Sequence, residues 1–373
     1  WKFAAPVQAG DNEGQIKHIV RDVFRANNLE VTFLAKPMPG VAGSGEHTHL
    51  GLAAKLKNGK MTSVFAPKDM RAEFLNPIGY GALMGLLKNY EVVNPFVSSS
   101  IDSLKMLKPG YEAPVCIVTS LGRSPMEPSR NRTVLVGLIR DMNNPLATRF
   151  ELRAPNPKSN TYLVLAASHM AMIDGIKHVL AAEKTPAELE KSISKAYGEE
   201  DFYLDTDREY RSEKEVFEDY TEEERAKLFG HAPATVWENM QAFDHYPEKL
   251  EIFKAGDVMK QKVLDSYREQ VISQWKTELH DRVIPQNMAL IRSCVKLHSE
   301  DDFSDFDVKN WIEIDKLRHE LGKDTITEKS ILTRAKDALD DGNYSEASEM
   351  QKLIQKKVAT LISLYTRYKK NIL

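Results

Sequence analysis

Near residue 200 the sequence changes its period, and this limits the possible fold more than any other feature. Upstream, β-rich runs alternate with helical stripes. Downstream, residues 201–373 show almost no alternating pattern and few glycines, and they read as a helical bundle. Helix starts are written clearly there. In "TPAE", Thr185 is placed as N-cap, Pro186 at the first helical position and Glu188 as the third residue of a capping box. "TEEE" (221–224) and "TVWE" (235–238) repeat that logic, and the chain ends in two helices joined at Asp341-Gly342-Asn343. The division predicted is residues 1–200 and residues 201–373, since 373 residues exceed the usual size of a single core.

Within residues 1–200, "QIKHIVRDVFRANN" (15–28) carries a helical apolar stripe, and "EVTFLAKP" (30–37) is β-rich. "HTHLGLAAKLKNGKMTSVFAP" (47–67) alternates, turns at Asn58-Gly59 and returns, which predicts a hairpin. "PVCIVTSLG", "TVLVGLI" and "ATRFELRAP" read as further strands. "NTYLVLAASHMAMIDGIKHVLAA" (160–182) reads as a buried helix. The opening "WKFAAP" resembles strand interior and begins with Trp1, which suggests the C-terminal part of a longer protein.

Composition narrows the function classes. A net charge of -3 and a pI near 6.4 give no basic excess for nucleic acid or anionic membrane. Two cysteines cannot build a disulfide framework, so a reducing, cytoplasmic setting is expected. No signal-peptide pattern opens the chain, and no run of ~18 apolar residues predicts a membrane span.

The residues able to do chemistry fall in four blocks. "GSGEHTHLG" (43–51) spaces His47 and His49 by two, on one face of a strand, behind glycines that let backbone approach an anion. Taken alone, it reads first as a mobile loop with solvated histidines. "RFELR" (149–153) puts Arg149, Glu151 and Arg153 on one face and Phe150 and Leu152 on the other. That charged face is either a surface salt-bridge ladder or a metal-binding carboxylate between oxyanion-binding arginines. "SRNRT" (129–133) carries Arg130 and Arg132 on one side if extended, and "PGYEAPV" (109–115) is a loop carrying Tyr111 and Glu112. No Walker A pattern occurs.

In order and approximate spacing, "KPMPGVAGSGEHTHLGL", "LKPGYEAPV", "SRNRT" and "RFELRAPNPKSNTYLVLAASHMAMIDGI" resemble the glutamine synthetase family, over about residues 1–180. The helical tail and the inserted "TSLGRSPMEP" look most like its type III branch. The resemblance implies an α+β fold, a curved antiparallel sheet backed by helices and followed by a helical C-terminal bundle. It implies ATP and Mg2+ or Mn2+ as cofactors, glutamate and ammonia as substrates, and a large homo-oligomer with sites between subunits. The chemistry implied is ATP phosphorylation of the glutamate side-chain carboxylate, followed by displacement of phosphate by ammonia.

Carried over by position, the resemblance makes His47 and Glu151 ligands of one metal. It places His49, Arg132 and Arg149 at the ATP phosphates and Gly43 as backbone to the amino-acid substrate. Arg153 would hold the reacting carboxylate or phosphoryl group, and Glu112 would shield the intermediate and take a proton from ammonium. The chain departs from the family pattern at five positions. Ala42 replaces Asn and Gly51 replaces Ser. Met106 replaces the Arg that grips the α-carboxylate. Gly137 replaces an ATP-binding Arg, with Arg140 available if a small gap is allowed. Lys2 falls where a metal-binding Glu is expected if "WKF" aligns with the Q-x-E block. These departures leave two further readings open: a ligase of the same fold for another acid or amine, and a catalytically impaired synthetase-like structural or regulatory protein.

Overall fold

The computed structural model describes residues 3–38, 40–106 and 116–372. Two compact units form: Trp1–Pro233 with Asn239–Ser266, and Ala234–Glu238 with Tyr267–Leu373.

The first unit is organised by one small sheet. Its strands are β1 (Thr48–Leu50), β2 (Ala53–Lys55), β3 (Met61–Ser63), β4 (Thr119–Ser120), β5 (Gly122–Ser124), β6 (Glu127–Pro128), β7 (Val136–Ile139) and β8 (Arg149–Leu152). Four of them pair in the order β1-β8-β7-β4. The β1/β8 and β8/β7 pairs are antiparallel, and β4 joins β7 in parallel. Strand alternation sends Leu50, Phe150, Leu152, Val136 and Leu138 to one face, all buried. Phe65 packs on Phe150 with ring centroids 4.9 Å apart. β2 and β3 form the hairpin expected around Asn58-Gly59, closed by Leu56 N–H donating to Lys60 O at 2.9 Å.

Helices α1 (Pro6–Ala26), α2 (Pro77–Lys88), α3 (Tyr90–Val97), α4 (Ile101–Met106), α5 (Thr161–Ala182), α6 (Pro186–Ile193) and α7 (Glu222–Phe229) complete most of this unit. Asn76 caps α2 through a bond from Gly79 N–H at 2.9 Å, and Asn160 caps α5. The α2–α5 crossing is built on small residues. A Cβ at Gly85 would stand 2.2 Å from Ala171 O, and one at Gly175 would stand 2.1 Å from Gly81 O. Only glycine permits that approach. The capping boxes at Thr185/Glu188 and Thr221/Glu224 form as read from the sequence.

Three expectations are corrected. "WKFAAP" is not strand interior in its described part, because Pro6 opens α1, a helix that begins well before residue 15. "EVTFLAKP" forms no strand: no edge pairs with it, and Ala35 O instead accepts Ser44 N–H at 2.8 Å. Thr161–Ala182 is long and apolar enough to cross a membrane by length and composition. Its few polar residues interrupt an apolar run without lowering the mean hydropathy much. Half of that window is buried here.

The change of sequence character at residue 200 and the division into compact units fall at different places. Residues 201–233 and 239–266 fold with the first unit. Val216 and Phe229 pack against Cys116, Val118 and Val134. Thr119 N–H donates to Tyr210 O, and Ser212 N–H donates to Thr119 O, each at 2.9 Å, which extends the β4 edge. Lys249 Nζ reaches Asp205 at 2.7 Å, Glu91 at 3.3 Å and the Lys88 carbonyl at 2.8 Å, and Arg208 also pairs with Glu91.

The remaining helices are α8 (Val236–Met240), α9 (Ala242–His245), α10 (Pro247–Leu250), α11 (Gln261–Glu278), α12 (Ile284–Ser293), α13 (Asp305–Gly322), α14 (Ile331–Asp340) and α15 (Tyr344–Lys369). In the second unit, Trp275 is fully buried and donates from Nε1 to Gln351 Oε1 at 2.7 Å, beside Trp237 and Tyr344. α14 and α15 form the expected hairpin, with Gly342 at φ 72° in its turn.

Candidate functional site

The sheet's second face gathers the residues that the sequence singled out. Register places His49 opposite Glu151 and Glu151 opposite Gly137, so His49, Glu151 and Gly137 lie in one row across β1, β8 and β7. His47, just before β1, donates from Nδ1 to Glu151 Oε1 at 2.9 Å. Arg153 is almost wholly buried; its Nη1 donates to the same oxygen at 3.2 Å and its Nε to the Arg132 carbonyl at 3.0 Å. The hydrogen bond from His47, aided by the Arg153 charge, outweighs burial and holds the Glu151 carboxyl down at about 2. Glu151 is therefore an anion at every physiological pH.

His49 plays a different part. Its Nδ1 accepts a hydrogen bond from Arg149 Nε at 2.9 Å, which fixes the proton of the neutral ring on Nε2. Burial first, and then the Arg149 charge, push the imidazole below its usual value. Arg149 is itself tethered through Nη1 to Ala147 O at 2.8 Å.

Gly43 sits where backbone meets backbone. A Cβ there would stand 2.6 Å from Ala35 O and 2.9 Å from the Cβ of Met106, so no larger residue fits. Met106 is buried against it, and its thioether chain offers no charge to a carboxylate. Gly137 brings no guanidinium beside Glu151. Arg140 does not replace it, because its own guanidinium is bound by the carbonyls of Pro125 at 3.0 Å and Glu73 at 2.8 Å, and by Met70 O. Arg132 and Arg130 are in an irregular loop rather than a strand, ordered by Asn131 N–H donating to Ser129 Oγ at 3.1 Å and Thr133 N–H to Asn131 Oδ1 at 2.9 Å. Both line a cleft of about 850 Å³. Glu112 and Lys2 lie outside the described residues.

An ionised carboxylate and an imidazole in contact are suitable donors for a divalent cation. His47 and Glu151 therefore fit as two ligands. They are bonded to each other, so a cation would replace that hydrogen bond. Among the described residues no group of three or more His, Cys, Asp or Glu could hold a metal, so this pair alone would not complete a coordination shell.

Two contributors, Lys17 and Glu46, left no signal in the sequence. Lys17 on α1 donates to Pro157 O at 2.6 Å and pairs with Glu46 at 3.6 Å, and Glu46 N–H donates to Pro155 O at 2.8 Å. These contacts fasten the segment leading to His47 onto α1 and the chain after β8. A lysine on a helix stripe gives no sign of this, since its partners lie far away in sequence.

The family model described as "Glutamine synthetase, catalytic domain" matches residues 1–205. The chain is 34% identical over 193 residues to the glutamine synthetase of Clostridium saccharobutylicum, covering 52% of this chain and 39% of that protein. It is 35% identical over 229 residues to that of Rhizobium meliloti (strain 1021), covering 58% and 45%. It is 34% identical over 200 residues to that of Staphylococcus aureus (strain MW2), covering 54% and 41%. The chain thus spans less than half the length of these curated relatives. The match covers His47, His49, Arg149, Glu151 and Arg153, and the chain belongs to the glutamine synthetase catalytic-domain family.

Proposed function

We propose that this chain carries the phosphoryl-transfer half of an ATP-dependent carboxylate–amine ligase, joining glutamate and ammonia through an acyl phosphate. One observation supports this above the rest: His47 and Arg153 converge on a single carboxylate oxygen of Glu151. On this reading His47 and Glu151 hold Mg2+ or Mn2+, which when bound neutralises phosphate charge. Arg132 and Arg149 take phosphate oxygens, and His49, held neutral by burial and Arg149, donates from Nε2 to the nucleotide. Arg153, fixed by Arg132 O and Glu151, presents its fork to the reacting carboxyl or the transferring phosphoryl group. Gly43 offers backbone to the amino acid, and Glu112 takes the ammonium proton. The inserted β5–β6 hairpin supports placement in the type III branch. A cytoplasmic homo-oligomer is part of the same reading.

A second reading has its own observation. Met106, buried against Gly43, leaves an apolar side chain where an α-carboxylate would be gripped. A ligase of this fold for another acid accommodates that.

The test is calorimetric titration of Mg-ATP into the purified chain. Binding is expected, and Glu151→Ala should weaken it by about tenfold or more, the loss of one charged contact. Equal affinity in the two proteins would overturn the proposal.

A further inference from the structure

His47 and His49 are two residues apart, but only His49 lies on β1. The β1/β8 register starts at Thr48 opposite Leu152, and His47 precedes it. The backbone just before His47 is held by Glu46 N–H donating to Pro155 O at 2.8 Å. The His47 ring turns back over Gly45, where a Cβ would stand 3.1 Å from Nε2. The direction of this imidazole therefore depends on the path of residues 45–47.

Lys17 on α1 holds that path. Its Nζ pairs with Glu13 on its own helix, donates to Pro157 O at 2.6 Å and pairs with Glu46 at 3.6 Å. The side chains of Lys17, Glu46 and Glu13 are only 17%, 20% and 11% exposed. Glu13 is also tied to the start of α5, where Thr161 Oγ1 donates to it at 3.3 Å. Two largely buried carboxylates from different segments thus share one ammonium. Without that charge they would be left unpaired and mutually repelling, and burial raises the cost of both. Glu13 is fixed on a helix. Glu46, on an irregular segment, is the one that can swing out to water, and His47 is the next residue in the chain.

We propose that Lys17 is a positioning residue for His47: through Glu46 it holds the imidazole on Glu151, and so sets how tightly that pair takes a divalent cation. The consequence for the cation rests on the ligase reading; the hold on the ring does not. Groups that orient a metal ligand from behind commonly change metal affinity by about tenfold to a hundredfold when removed.

The experiment first reads the rings in the metal-free chain. Two-bond 15N–1H spectra at about pH 8, above the ordinary imidazole range, show which nitrogen of each histidine carries the proton. In the unmodified chain His47 should carry it on Nδ1, fixed by the Glu151 acceptor, and His49 on Nε2, fixed by Arg149. Lys17→Met and Glu46→Ala should each divide His47 between its two tautomers and leave His49 as it was. A merely structural role for Lys17 would loosen β1 and disturb both rings together, which would overturn the proposal, as would an unchanged His47. The double variant should alter His47 no further than the larger single change, and additive effects would show that Lys17 does not act through Glu46. Glu46→Ala leaves the α1 contacts of Lys17 in place and decides the matter if Lys17→Met does not fold. Titration with Mn2+ then reads the cation, which both variants should bind about tenfold more weakly or worse. If Mn2+ binds the unmodified chain and Lys17→Met equally, this inference fails and the metal site stands. If the rings respond as expected but Mn2+ does not bind the unmodified chain, the metal site fails and the hold of Lys17 on His47 stands.

Discussion

The two faces of the β1–β8–β7 sheet have opposite chemistry on the same three strands. One face carries Leu50, Phe150, Leu152, Val136 and Leu138, each at most 3% exposed. The other carries His49, Glu151, Arg149 and Gly137, joined at its margins by His47 and Arg153. The apolar face is held by burial, which is non-directional and tolerates substitution of similar volume. The polar face is held by directional bonds between ionised groups, which cannot move far without leaving a charge unpaired. The first face fixes the register, and the register places His49 against Glu151. The site depends on a core with which it shares no atoms.

Breaking the apolar face should have the largest effect. Phe150→Ala removes a fully buried ring packed on Phe65. It should cost about 3–5 kcal/mol, read as a fall in the denaturation midpoint, and Mg-ATP binding should be lost with the fold. If binding survived a loss of that size, the polar face would be independent of the apolar one.

An intermediate effect separates the faces by pH. Glu151 lies at about 2 in the folded chain, against 4.5 for the free group. The folded carboxyl holds its proton more weakly than the unfolded one. Its stabilisation is therefore complete above about pH 4.5 and is lost as pH falls towards 2. Melting temperatures of the unmodified chain and of Glu151→Gln should converge across that window and stay separated above it. A constant separation down to pH 2 would mean that the carboxylate is not held by His47 and Arg153.

The smallest effect sharpens the roles of the two histidines. By NMR titration, His49 should protonate below the ordinary histidine range, and Arg149→Gln should move it back upward by removing the second-largest of the lowering causes, leaving burial and the smaller effect of His47. No movement would remove the Arg149 charge as a cause of the shift.

Much of the polar face was legible in the sequence, because strand alternation is local. "RFELR" separates Arg149, Glu151 and Arg153 from Phe150 and Leu152 without reference to the rest of the chain. The capping boxes at Thr185 and Thr221 were legible for the same reason. The His47–Glu151 contact spans 104 residues, and only the order of the four family motifs pointed to it. Lys17 and Glu46 gave no signal, since their partners are fixed by tertiary packing. "EVTFLAKP" shows the limit of β propensity: a run rich in β-branched and aromatic residues stays irregular when no edge is offered to it. Residues 201–266 show the matching limit for helices. Helical character does not say what a helix packs on, and Phe229 and Val216 pack on the strand side of the first unit.

Direct detection of the metal's ligand tests the account most closely. In pulsed electron paramagnetic resonance of the chain with Mn2+ and ATP, a histidine bound to the ion gives a nitrogen coupling to the manganese. The account predicts that coupling in the unmodified chain, its loss in His47→Ala and its retention in His49→Ala. Manganese bound with ATP but without any nitrogen coupling, or a coupling that survives His47→Ala, would contradict the assignment of His47 and Glu151 as a shared metal site.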